Sequence, residues 1–206
     1  MFRNLIRPDS PLMITMTQIT DCIFLSLFWI LGCFPVVTVG ASFAALYDAT
    51  FRGFRKGEKN SWQRFLHVFR QNWKAGILPT AIFLGVAALL LRGLIALWNA
   101  AVYGILSWGV FSAGAFLGVF VLGILSVLFP MLSRFENPTL VLLKNTVLLS
   151  VANLPRTLGL GILNGLCTLA CVRYVFPVFF LPALAALVGG LLIEPMFKPY
   201  LPEDAA

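Results

Sequence analysis

Apolar residues along this chain come in unbroken runs, not in the period-2 alternation of half-buried strands. Four of the runs approach or exceed the roughly 20 residues that a helix needs to cross a hydrocarbon core. They cover residues 17–34, 75–98, 102–132 and 175–197. A fifth, 156–172, is shorter and rich in Gly and Leu, but basic residues flank it and it reads as another crossing. Residues 102–132 would extend about 45 Å as one helix, so tilt or projection beyond the bilayer is expected.

The first run does not end cleanly. In "LGCFPVVTVGASFAALYD", residues 31–48, Pro35 lacks a backbone donor and pushes Phe34 away from helical geometry. Val36, Val37, Thr38 and Val39 are poor helix formers and Gly40 can take a turn, after which residues 41–51 read as helix again. Residues 17–51 therefore read as helix, break, helix. Two geometries fit: a single kinked crossing, or a hairpin with both ends on one side of the membrane. The break must be shielded by protein or water, because unpaired backbone in lipid costs several kcal/mol per group.

Two further segments carry helical periodicity outside the long runs. In "NSWQRFLHVFRQNWK", Trp62, Phe65, Leu66, Phe69 and Trp73 share one face and basic residues fill the other, with Asn60 or Ser61 as the cap. Trp62, Phe65, Phe69 and Trp73 are the membrane-interface candidates of this amphipathic helix. Such a helix lies in the headgroup layer or docks another subunit. In "SRFENPTLVLLKNTVLLSVANLPRT", Asn137 is the expected N-cap with Pro138 at the first helical position, and Pro155 sets a boundary after Asn153. This helix, 137–153, is too apolar for a solvated loop and is expected to pack under the bundle.

Composition confirms the environment: the chain is 60% hydrophobic and 11% charged, against roughly 45–50% apolar residues in a soluble domain. The expected fold is all-α: a single integral membrane domain over residues 1–206, with five to six membrane-embedded helical segments, the first broken at Pro35 to Gly40, plus amphipathic cytoplasmic helices. No cleavage site follows the first run, only "CFPVV", so it is expected to be retained.

Charge sets the orientation. Lys and Arg crowd residues 52–74 and recur at Arg134, Lys144 and Arg156, whereas residues 99–101 carry none, so loops 52–74 and 134–156 and the C-terminus are expected in the cytoplasm. Because Arg3 and Arg7 also precede the first run, this bias favours the hairpin over one crossing. The net charge of +7 follows from the same bias and calls for no nucleic acid.

Chemistry-bearing residues are sparse. Asp21, Asp48 and Glu194 fall at segment ends. Asp48 is either solvated at the interface or paired inside the bundle with Arg134 or Arg156. Arg92 is close enough to Trp98 to snorkel outward. Gly114 with Gly118, and Gly161 with Gly165, would let helices approach closely. The single histidine, His67, lies on a basic face without HExxH, GxSxG or Walker A sequences nearby. Cys22, Cys33, Cys167 and Cys171 form no CxxC and read as small apolar packers. No catalytic, cofactor or metal site is expected.

Four segments in order, P-V-V-T-x-G at 35–40, F-x-x-N-[FW]-K at 69–74, R-F-E-N-P at 134–138 and N-L-P-R-T at 153–157, resemble the YesL family of small bacterial integral membrane proteins. The resemblance runs over residues 20–160, and the last forty residues resemble it only as apolar helix. It marks Pro35, Thr38, Gly40, Asp48, Asn72, Arg134, Phe135, Glu136, Asn137, Pro138, Asn153, Pro155 and Arg156 as the family core and as partner-surface candidates. Family members resemble accessory components encoded beside carbohydrate ABC importers, which implies a non-enzymatic accessory subunit or assembly factor in the bacterial cell membrane. Expected partners are the lipid bilayer, a sugar importer's permease subunits, and a second copy of the chain. The rivals are a homo-oligomeric small-solute transporter or channel using the broken segment as its site, and a membrane sensor of sugar uptake.

Overall fold

A computed structural model describes residues 11–55, 60–104, 107–135 and 138–200. Over these residues the chain forms eight α-helices: α1 (Pro11–Cys33), α2 (Val39–Arg55), α3 (Ser61–Asn72), α4 (Ile77–Val102), α5 (Trp108–Arg134), α6 (Thr139–Ala152), α7 (Leu154–Arg173) and α8 (Leu181–Phe197). Short 3-10 turns at Val36–Thr38, Phe176–Phe179 and Lys198–Tyr200 join or extend them. Four stretches are long and apolar enough to cross a membrane: α4, α5, α7, and α8 continued to Tyr200. This is the framework of a multi-pass membrane protein. The stretch Gln18–Cys33 of α1, and α6, are apolar but shorter.

The broken first segment is a helical hairpin. Pro35 takes an extended conformation and a 3-10 turn follows, so α2 folds back along α1. Trp29 meets Phe43 edge-on with ring centroids 5.2 Å apart, and Cys22 and Leu25 share a buried cluster with Ala45, Leu46 and Ala49. Low numbers on α1 therefore pair with high numbers on α2, as antiparallel packing requires. The turn is made by residues 35–38 and not by Gly40, which is already helical.

Helix α2 is the centre of the bundle. From Gly40 to Phe51 all but Phe43 are buried. One face packs with α1 and α3 around Leu25, Leu46, Phe65 and Val68. The other packs with α5 and α8 around Val127, Leu128 and Phe197, in a cluster that Leu142 of α6 and Leu160 of α7 extend. Ala41, Ser42, Ala44, Ala45 and Ala49 keep its profile thin enough for neighbours on every side. In lipid, burying an apolar side chain against protein instead of lipid gains little transfer free energy, so dispersion at this density and polar links between helices hold the bundle.

Beyond the bundle, α4 and the first half of α5 run as an antiparallel pair. Gly118 faces Leu94, and Gly114 faces Leu97. At its tip Trp98, Trp108 and Phe111 pack edge to face, with centroids 5.4 to 6.0 Å apart. Residues 102–132 are thus not one helix: Val102 ends α4, Gly104 turns the chain at φ 70°, and α5 starts at Trp108. The amides of Tyr103 and Gly104 donate to the carbonyls of Asn99 and Ala101, closing α4.

Near Pro155 the boundary falls as expected, with α6 ending at Ala152 and Pro155 in the first turn of α7. The last apolar run is interrupted instead: Pro177 and Pro182 bracket a change from 3-10 turn to α-helix, and α8 begins at Leu181.

Candidate functional site

The hairpin turn is braced by hydrogen bonds of its own. The Thr38 hydroxyl lies 2.7 Å from the carbonyl oxygens of both Gly32 and Pro35, and the Thr38 amide donates to Pro35 at 2.9 Å. The Gly40 amide donates to Thr80 Oγ1 at 2.9 Å, and the Thr80 hydroxyl donates to the Gly76 carbonyl at 2.6 Å. A Cβ on Gly40 would overlap Thr80 Oγ1 and the Phe129 ring. Threonine and glycine at these positions thus have a local reason: one caps the break, and the other lets α4 and α5 touch the start of α2. Phe34, 90% exposed, and Val36 and Val37 present an apolar tip.

About two turns further along α2, two ion-pair centres lie on different faces of the helix, at Asp48 and beside Tyr47. Asp48, almost fully buried, accepts from Arg64 Nε at 2.7 Å and Arg52 Nε at 3.2 Å. This ties α3 to α2. Beside it the Asp21 carboxylate accepts from the Ser61 hydroxyl at 3.4 Å, tying α3 to α1. Facing α5 and α8, Glu194 accepts from Arg134 at 2.6 Å and from the Tyr47 hydroxyl at 2.8 Å. The Arg134 guanidinium also lies 4.9 Å from the centre of the Phe51 ring, a cation–π contact within the bundle. Phe135, next in sequence, packs edge-on against Phe197 at 5.6 Å.

Asp48 is therefore paired, but not with Arg134 or Arg156. It is also not solvated at the interface. Arg134 takes Glu194, and Arg156 donates to the Asn153 side chain at 3.1 Å on an exposed face. The sequence reading missed the Tyr47–Glu194–Arg134 triad. Its signal was present: Glu194 interrupts the apolar run Leu191–Leu192–Ile193, where a charge asks for a partner.

The remaining candidates serve helix ends and packing. Asn72 donates to the Val68 carbonyl at 3.0 Å, and its own carbonyl accepts from Gly76 at 2.8 Å. Asn153 closes α6 through Leu149 and starts α7 by accepting from the amides of Arg156 and Thr157. Pro138 precedes α6, and its carbonyl accepts from Leu142. Glu136 and Asn137 lie outside the described residues. Asn60 precedes α3 in a left-handed conformation without a side-chain cap, so the expected cap at α3 is a backbone one.

On α3 the aromatic stripe divides. Trp62 and Trp73 are about half exposed, at 47% and 46%. Phe65 is a core residue against α1 and α2, with Phe69 stacked beside it and half-buried. Because α3 lies along α2, its most apolar side faces protein.

Of the glycines expected to allow close helix approach, Gly161 does so, and its partner is Gly123 on α5. A Cβ on Gly161 would overlap the Val119 carbonyl, and one on Gly123 the Thr157 carbonyl, so α5 and α7 touch through Gly123 and Gly161. Gly165 has no such neighbour, and Gly114 and Gly118 meet only leucine side chains.

Beside α2 lies a cavity of about 290 Å³, lined by residues of α1, α2, α4, α5, α7 and α8. Its walls are apolar apart from Trp29, Tyr47, Ser126, Asn164, Thr168 and the thiols of Cys167 and Cys171. Among the described residues, no group of three or more His, Cys, Asp or Glu side chains comes together to hold a metal ion.

Residues 22–94 match a family model described as "Protein of unknown function, DUF624". The matched region contains the hairpin from Cys22, α3 and most of α4. No curated protein and no solved structure matches the chain.

Proposed function

We propose that this chain is a non-enzymatic accessory subunit or assembly factor of a bacterial carbohydrate ABC importer, acting through helix packing in the cell membrane. The observation that carries the reading is how the charges of the bundle are used. Asp48, Glu194, Arg64 and Arg134 are closed into pairs that join helices to each other, while the outward surfaces of α4, α6 and α7 are mainly apolar, with Arg92, Lys144 and Arg156 as exposed exceptions. Leu89, Leu91 and Ile95 on α4 are all more than half exposed. A protein with rigid internal cross-links and wide apolar flanks is suited to hold another membrane chain.

The sugar importer comes from the resemblance to the YesL family, two of whose four segments fall within the matched residues 22–94. In this reading α4, α5, α7 and α8 cross the membrane, the two arms of the α1–α2 hairpin are embedded beside them as the fifth and sixth segments, and α6 packs under the bundle on the cytoplasmic side. The basic loops and the C-terminus face the cytoplasm. The closed hydrogen bonds of the hairpin turn support a structural break over a midplane transport site, since transporter breaks leave carbonyls or amides open to the substrate.

The test is affinity purification of the tagged chain from its native host in mild detergent, with mass spectrometry of what co-purifies. Sugar-importer permeases recovered in stoichiometric amount are expected. Recovery of the chain alone, as a homo-oligomer, would overturn the reading and direct attention to reconstituted flux.

A further inference from the structure

Helix α4 carries a charge that its own fold leaves unmatched. Arg92 is the single charged residue between Lys74 and Arg134 in the sequence. It stands about 23 Å of helix rise from Ile77 and about 15 Å from Val102, inside a stretch long and apolar enough to cross a membrane. The residue is exposed and has no hydrogen-bond or ion-pair partner among the described residues. Charges in the bundle are treated differently: Asp48 holds Arg64 and Arg52, and Glu194 holds Arg134. An ionisable residue within a membrane helix pairs with another group or faces water, because hydrocarbon solvates no charge.

The face around Arg92 suits a second helix. Ala81, Gly85, Ala88, Arg92 and Ala96 follow one another at intervals of three or four residues, so they form one stripe, and all are exposed. The α5 contacts of Leu94 and Leu97 fall on another side of α4. Apart from Arg92 the stripe is Gly and Ala, which lets a neighbouring backbone come close enough for a short side chain to reach the guanidinium. Snorkelling to the level of Trp98 would carry the guanidinium about 9 Å toward the C-terminal end of α4, against the N-terminal tilt of each Cα–Cβ bond. A carboxylate at the depth of Arg92 requires no such excursion.

A second copy of the chain does not supply that carboxylate. Two copies in the same orientation, joined stripe to stripe, would set Arg92 against Arg92. The described carboxylates are already engaged, Asp48 and Glu194 in their ion pairs and Asp21 by Ser61. We infer that the exposed stripe of α4 docks a transmembrane helix of another protein that carries one Asp or Glu at the depth of Arg92. The carboxylate pairs with the guanidinium, and the small residues on either side allow the helices to touch. This partner rests on the reading that the chain holds another membrane protein, and not on that protein being a sugar-importer permease.

The probe is a synthetic Leu/Ala transmembrane helix with one central Glu, compared with the same helix carrying Gln or Lys instead. The full chain, cysteine-free except for a donor dye at Tyr103→Cys near the end of α4, is reconstituted with acceptor-labelled peptide in phosphatidylcholine vesicles. A mildly alkaline buffer keeps the peptide's carboxyl ionised. Saturable energy transfer is expected with the Glu helix, about tenfold tighter than with the Gln helix. Arg92→Leu should erase the difference between the Glu and Gln helices, and Arg92→Glu should move the preference to the Lys helix. Gly85→Leu keeps the cation but blocks the close approach, and should weaken binding of the Glu helix at least about threefold. Size-exclusion chromatography checks that each variant stays monodisperse, and the Glu-against-Gln comparison on the parent chain decides even where a variant does not. Equal affinity for the Glu and Gln helices there would leave Arg92 to the lipid headgroups and overturn the inference. Energy transfer between copies of the chain that excludes the Glu helix would make a second copy the occupant and overturn it as well. Either result leaves the co-purification of importer permeases to be judged separately, and a failed co-purification leaves a Glu-helix preference standing.

Discussion

Glu194 stands on an apolar helix next to Ile193, with its side chain 15% exposed and its partner Arg134 5% exposed. Taking either charge away strands the other where water cannot replace it. Arg134→Met is therefore expected to destabilise the protein by about 3–5 kcal/mol, whereas Arg134→Met with Glu194→Met should recover most of that loss. Thermal or denaturant unfolding in micelles reads both, and a double variant as unstable as the single one would show that the loss comes from the other contacts of Arg134 and not from a stranded carboxylate. The Tyr47 hydroxyl, which donates to the same carboxylate, loses its acceptor in the double variant, so the recovery should stop short of wild type.

At the scale of elements, the bundle relies on closeness that only glycine permits. Helices α5 and α7 touch at Gly123 and Gly161, where an added methyl would run into the carbonyls of Thr157 and Val119. Backbone cannot yield as a flexible side chain does. Gly161→Ala is expected to cost about 1–3 kcal/mol. Gly165→Ala, one turn away on the same helix with open space around it, should be neutral or slightly stabilising, because alanine is the better helix former. Equal melting temperatures for the two variants would contradict the close approach. The periodicity of glycine along α7 does not distinguish these positions; the partner helix does.

At the scale of the whole molecule the proposed orientation makes a prediction of its own. If the basic loops are inside, α4 would carry the chain outward, α5 would return it, and α7 would carry it outward again. In a cysteine-free background, Tyr103→Cys and Tyr174→Cys, both at exposed positions between helices, should react with a membrane-impermeant maleimide on intact cells. Gln63→Cys, exposed on α3, should react only after permeabilisation. The reverse pattern would invert the topology and with it the placement of α3 and α6.

Helix content, the membrane environment and the break at Pro35 were decided by the sequence itself, because each rests on local physics: run length against bilayer thickness, the missing amide of proline, and the poor helix propensity of a β-branched run. The boundary between Asn153 and Pro155 was legible for the same reason. What the local pattern could not decide was partnership. Hairpin and kinked crossing share one hydropathy profile, and only the packing of α2 along α1 separates them. Asp48 could have met Arg134, Arg156 or water, and the fold instead brings Arg64 from α3 to it and gives Arg134 to Glu194, sixty residues further along the chain. Phe65 repeats like an interfacial aromatic but is covered because α3 lies against α2. The cavity between α2, α5, α7 and α8 has no counterpart in the sequence at all, since an empty volume belongs to no residue and exists only where helices far apart in the chain fail to fill the space between them.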